Sequence, residues 1–361
     1  MWVILSWVVS LVVLGTCCMP EQVSARRMSL NPQQKARLQH VEKIFVSALA
    51  VTENGLVDAT SVRQVVSRQL SAIGFTMVAA PTEAHDVTLK VKCEERKTWE
   101  GIKRTNDQVY RPGEPSRIWK GPACQLRYIL DDQQGPWHYE VRTTFDNAWE
   151  ATRASRETDS GQFALRHLCQ ALENSTFPLA LAAEWQQSHR LASLLTASTT
   201  DTATKLTILS LADHAPDDIM LRALQDTLTR TNLTLPATVA LGHMGEPAIP
   251  TLMKLLSDNA SPVDIQAAAV EALGEIGAHS GNVEILPPLL TMMHAPDVHL
   301  HVQTEIVKAV GKIPDQRSVE PLQQLGLKAW TSSSTDPEMQ ELREAIDWSL
   351  WQITPGAHTD E

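Results

Sequence analysis

A six-residue phrase, Ala-Leu-Gly-x-x-Gly, recurs in the second half of the chain. It reads Ala240-Leu241-Gly242-His243-Met244-Gly245, then Ala272-Leu273-Gly274-Glu275-Ile276-Gly277. It returns altered as Ala309-Val310-Gly311-Lys312-Ile313-Pro314 and as Ser349-Leu350-Trp351-Gln352-Ile353-Thr354. The aligned positions 241, 273, 310 and 350 are spaced by 32, 37 and 40 residues. Helical self-similarity at this period predicts a stack of helix pairs, each burying its apolar face on its neighbours. Such an array offers an extended surface more readily than a closed catalytic pocket. From Lys205 to Ile353 every strong apolar pattern has helical spacing.

The first half has a different grain. Val87, Leu89, Val91 and Cys93 alternate with Thr88, Lys90 and Lys92. Cys124, Leu126, Tyr128 and Leu130, and again Trp137, Tyr139 and Val141, repeat that period of two. Asp131 to Gly135 reads as a hairpin loop. Ile44–Val51 and Phe75–Ala79 have strand length. Between them a helix is expected with Val62, Val65, Val66, Leu70 and Ile73 on one face, ended by Gly74. Ala164, Leu165, Leu168 and Leu172 mark a covering helix, and Pro178–Leu195 a further one. The fold class is therefore an α+β N-terminal domain (35–195), a small-residue linker (196–204), an all-α array (205–354) and a tail (355–361).

The repeat resembles bacterial HEAT-like repeats of the kind first described in phycobilisome lyases, in which a helix ends in Ala-Leu-Gly-x-Ile-Gly and the next opens with Pro and Leu. Here the second helices open as Ile249-Pro250-Thr251-Leu252, Leu286-Pro287-Pro288-Leu289 and Val319-Glu320-Pro321-Leu322. The resemblance covers about 205–354, a little over 40% of the chain, and implies a HEAT-like solenoid. Gly245 and Gly277 are expected at left-handed positions closing the first helices. Such repeats often carry a Val-Arg pair early in the first helix. Here Ile265-Gln266 and Val302-Gln303 stand there, with Leu342-Arg343 alone keeping the arginine, so a reduced polar ladder is expected. The N-terminal half loosely resembles small periplasmic α+β domains of bacterial envelope lipoproteins and assembly factors, by order of elements alone.

Trp2–Gly15 is apolar apart from Ser6 and Ser10, and Val23-Ser24-Ala25 is a small-x-small cleavage site, so residues 1–25 read as a signal peptide. Lipidation at Cys17, in Leu14-Gly15-Thr16-Cys17, and an uncleaved membrane anchor are the alternatives. All three imply an exported, periplasmic protein. In an oxidising compartment Cys93 and Cys124, inward-facing at the mouth of one long loop, are expected to form a disulfide with Cα atoms 4.4–6.8 Å apart. Cys169, among Leu165, Leu168 and Leu172, reads as a core thiol.

The net charge of −11 argues against nucleic acid as a partner. No nucleotide, cofactor or metal fingerprint and no catalytic constellation is readable. Asp131-Asp132 and Asp217-Asp218 read as turn acids, and His294, His299 and His301 as polar helix-end residues rather than metal ligands. Two aromatic features point to contacts. The loop Glu94–Pro122 carries Trp99 and Trp119 with Lys97, Lys103, Arg104, Arg111, Arg117 and Lys120, a composition suited to stacking on sugars or gripping an anionic polymer, or else to a solvated lid. Trp348 and Trp351 lie opposite the apolar stripe of the last helix, where the preceding pair's other helix, the N-terminal domain or a partner protein would cover them. The expected function is an exported, non-catalytic scaffold or adaptor that binds envelope proteins. The alternatives are a cell-wall or glycan-binding module using the Trp99–Trp119 loop, and an accessory subunit of a lyase-like enzyme.

Overall fold

A computed structural model describes residues 30–101, 116–230, 232–258, 260–332 and 336–354. The expected signal peptide with Cys17, most of the Trp99–Trp119 loop and the 355–361 tail lie outside the described residues, as do the side chains of 97–101 and 116–120.

The N-terminal region is a mixed sheet with helices on it. It runs α1 (Pro32–Leu38), β1 (Lys43–Thr52), β2 (Gly55–Val57), α2 (Thr60–Ala72), β3 (Thr76–Val78), β4 (Val87–Glu94), β5 (Lys97–Gly101), β6 (Ser116–Lys120), β7 (Ala123–Leu130), β8 (Gln133–Gln134), β9 (Tyr139–Arg142), α3 (Ala148–Ala154) and α4 (Ser160–Glu173). β1 is parallel to β4, which is antiparallel to β7; β2 and β3 line the far edge of β1, and β8 and β9 that of β7. The apolar alternation puts Val87, Leu89, Val91, Leu126 and Tyr128 into one core with Val62, Val66 and Leu70 of α2 and Leu168 and Leu172 of α4. Asp131 and Asp132 both have positive φ, 51° and 59°, so they form a two-residue turn whose twist matches its strands, and Gln133–Gln134 already belong to the returning strand. Ahead of β1, α1 is started by a capping box between its N-cap Asn31 and Gln34, a helix that no apolar periodicity marks in the sequence.

Cys93 and Cys124 are directly opposed in the β4–β7 register and joined by a disulfide, both buried. Their Cα atoms are 3.9 Å apart, closer than the expected range of about 4.4–6.8 Å, and the bridge joins a facing pair on adjacent strands. The segment between them is not simply a loop, since β5 and β6 pair as an antiparallel hairpin.

The rest is helical: α5 (Phe177–Glu184), α6 (Ser188–Thr196), α7 (Thr202–Ser210), α8 (Asp218–Thr227), α9 (Thr234–Gly242), α10 (Ile249–Ser257), α11 (Val263–Ser280), α12 (Leu286–Met293), α13 (Leu300–Lys312), α14 (Val319–Thr331) and α15 (Pro337–Ile353). No helix among the described residues is long and apolar enough to cross a membrane. The single helix expected over Pro178–Leu195 is two, broken at Trp185–Gln187, where Gln186 takes φ 53°. The break turns the Trp185 ring into the N-terminal core, edge-on to Phe75 and Tyr128 at 5.7 and 5.5 Å. Gln187 donates to the carbonyls of Leu38 and Val41. Arg190 donates to Ile73 O and pairs with Glu42, with its guanidinium 4.0 Å from the Phe75 ring centre. The other faces of α5 and α6 carry Leu179, Ala182, Leu191 and Leu195, which open the second core. The helical core thus begins upstream of the 196–204 linker, and residues 197–201 form a short loop within the helical region.

α9, α11, α13 and α15 pack side by side, and α8, α10, α12 and α14 each pack on the first helix that follows. The repeat phrase supplies the contacts. A Cβ on Gly242 would lie 3.0 Å from the Cβ of Ala272, one on Gly274 2.8 Å from that of Ala309, and one on Gly311 2.8 Å from that of Ser349. Each aligned glycine therefore receives the small residue at one fixed place in the next unit. Leu241, Leu273 and Val310 are fully buried beside these contacts, and Leu350, in the last unit, is partly buried.

The polar ladder is redirected. At four aligned positions Thr234, Gln266, Gln303 and Arg343 bond to main-chain carbonyls at the end of the preceding helix: Leu228 and Arg230, Asp258, Met293, and Ala329 with Ser332. Carbonyls left unpaired at a helix end need such donors, and a glutamine amide reaches them as well as a guanidinium does. Gly277 does not close its helix. α11 continues to Ser280, Gly281 takes the left-handed position at φ 70°, and a Cβ on Gly277 would overlap Ile313 at 2.2 Å. Gly245, at φ 71°, has the expected positive φ.

Candidate functional site

The contact between Gly242 and Ala272 brings the α9 and α11 backbones together, so the longer side chains beside it diverge. They enclose an open groove of about 770 Å³. Gly242, Ala268, Ala272 and Ile276 form its floor; Val239 and His243 of α9 line one side, and Glu271, Glu275 and His279 of α11 the other, with Asp213 at one end. Val239 is 48% exposed and Leu235, one turn earlier, 42%, so an apolar strip continues the groove along α9.

Several polar groups here are already engaged. Lys312 of α13 reaches Glu275 at 2.6 Å, Asp213 meets His214 Nδ1 at 2.5 Å, and the Ser280 hydroxyl donates to Ile276 O. Glu271 is exposed and makes no ion pair among the described residues. Further along the first helices Lys308 bridges Glu305 and Glu341, both at 2.8 Å. Partial burial pulls the Lys308 pKa down, but the two carboxylates outweigh it and hold the ammonium above its ordinary value; the same bond lowers Glu341. The groove thus combines an apolar floor with a negative rim, flanked by a neutralised surface.

No protein family and no curated protein matches this chain.

The aromatic positions are scattered. Trp348 and Trp351 are 39% and 56% exposed, so the preceding helices cover both only in part. Trp330 and Leu327 of α14 are exposed as well, with the Arg343 guanidinium 5.4 Å from the Trp330 ring centre. Replacing both Trp348 and Trp351 by alanine is expected to change the stability of the full chain by less than about 1 kcal/mol, since exposed substitutions rarely cost more. A fall in melting temperature above about 5 °C would show that the rings are covered. Trp99 and Trp119 hold neighbouring register positions on β5 and β6: Trp99 pairs with Ile118, and Trp119 with Thr98. Their side chains lie outside the described residues.

The histidines take other roles. His299 caps α13, its Nδ1 accepting from His301 N, and His294 belongs to the preceding helix end, where burial lowers its pKa. Among the described residues no three His, Cys, Asp or Glu side chains gather for a metal ion. Asp217 caps α8 through Ile219 N and Met220 N. Cys169 is half-buried, 3.7 Å from the Ser61 hydroxyl, and burial raises its pKa.

Sequence reasoning did not find the groove. Its signal is the run Ala268-x-x-Glu271-Ala272-x-x-Glu275, small residues and acids in alternating turns of one helix face. Read alone, that run looks like an ordinary solvated face.

Proposed function

We propose that this chain is an exported, non-catalytic adaptor whose HEAT-like solenoid holds a segment of another envelope protein in the α9–α11 groove. One observation carries the reading. A groove of about 770 Å³ with an apolar floor opens where the α9 and α11 backbones meet, an opening along the array that an apolar side chain of a partner could enter. The three aligned glycine contacts and the four aligned carbonyl-capping residues support the HEAT-like likeness. The Cys93–Cys124 bridge suits an oxidising compartment, in line with export. Engagement of Glu275, Asp213 and Ser280 within the fold favours binding over chemistry.

The test is capture from cross-linked envelopes by the intact protein and by Val239→Arg. Val239 is exposed, so the variant should melt like wild type, while its guanidinium occupies the groove and reduces partner recovery at least about tenfold. Equal recovery by both proteins would remove the groove from the function.

A further inference from the structure

The geometry points to a cationic amphipathic helix, supplied by a second protein, as the occupant of the α9–α11 groove; the inference rests on the adaptor reading above and adds the chemistry of the partner. The first observation is shape. Apart from Ile276, the floor is Gly242, Ala268 and Ala272, with no side chain larger than a methyl, and apolar side chains spaced three and four apart on an incoming helix fill such a trough. Val239 and Leu235, both on α9 and both exposed, extend the apolar contact beyond it.

The second observation is charge. Asp213, Glu271 and Glu275 line the groove together with His243 and His279, and no Lys or Arg does. Lys312, which answers Glu275, reaches in from the neighbouring α13, while Glu271 is left without an ion-pair partner among the described residues. The chain as a whole carries a net charge of −11. A Lys or Arg flanking the apolar stripe of the incoming helix would meet Glu271 over an apolar floor, where a charge pair is screened less than on open surface. An acidic helix would face carboxylates on the rim with no cation lining the groove to answer it.

The experiment uses the full chain and three fluorescent fourteen-residue helical peptides that share one leucine stripe and carry Lys, Gln or Glu at every other position. Anisotropy titrations are run at 50 mM and 500 mM salt. The Lys peptide should bind at least tenfold more tightly than the Gln peptide at low salt, with the advantage shrinking at high salt, and the Glu peptide should bind most weakly. Because any acidic protein attracts cations, two variants with the same change in net charge decide the location. Glu271→Lys should weaken the Lys peptide about tenfold; Glu320→Lys, on α14, should weaken it less than twofold. Equal losses in the two variants would overturn the cationic inference. So would equal binding of the Lys and Gln peptides, although Gln-peptide binding that Val239→Arg abolishes would leave the adaptor reading standing. Failure of all three peptides to bind would overturn both.

Discussion

Leu273→Asp is expected to unfold the helical array. Leu273 lies in the middle of α11, fully buried, and belongs to the core that runs from Leu179 to Ile353. A carboxylate placed there has no partner and costs several kcal/mol, on the order of 5. For a region of this size each kcal/mol moves the midpoint by about 2–4 °C, so a fall of about 10–20 °C in the loss of helical circular dichroism is expected. Leu273→Met, which keeps volume and polarity close to wild type, should shift it by only a few degrees. A Leu273→Asp protein melting like wild type would show that this position is not the hub of the stack.

The second large effect concerns the other core. The Cys93–Cys124 bridge spans 31 residues of sequence, and closing a loop of that length restricts the unfolded chain by about 3–4 kcal/mol in the chain-entropy treatment. Removing it as Cys93→Ala/Cys124→Ala should lower the urea midpoint of the N-terminal region accordingly, read by hydrogen exchange at the β4 and β7 amides. Reductant should produce the same loss in wild type and none in the variant. A wild-type midpoint indifferent to reductant would mean that the bridge adds no stability. The helical array, whose core is separate from the bridge, should hold most of its exchange protection.

How legible these features were in the sequence depends on whether a local pattern determined them. The period-two alternation at 87–93 and 124–130 carried the central strands, because one face of each must enter the core. The repeat spacing carried α9, α11, α13 and α15, because a glycine at one position demands a small residue at a fixed place in the next unit. Other features are set by tertiary contacts. The break at Trp185–Gln187 exists because Trp185 and Arg190 anchor on residues more than a hundred positions away, Phe75 and Ile73. Gly277 looked like a helix end, yet Ile313 of the next unit fixes it as a packing position within α11. Gln266 and Gln303 looked like losses from a ladder, and only the three-dimensional path of the preceding helix shows which carbonyls they serve. The groove was hardest to see, because its floor is made of residues without distinctive side chains on two separate helices.

The most direct measurement places a photo-reactive phenylalanine analogue at Val239 in the intact protein within its own compartment, with a parallel probe at Leu327. Both positions are exposed and apolar, on α9 and α14. Irradiation at Val239 should trap one partner, with the cross-link mapping to a single segment of it, while Leu327 yields no adduct to that segment. Equal trapping from both positions, or trapping from Leu327 alone, would contradict the account by placing the partner elsewhere on the array.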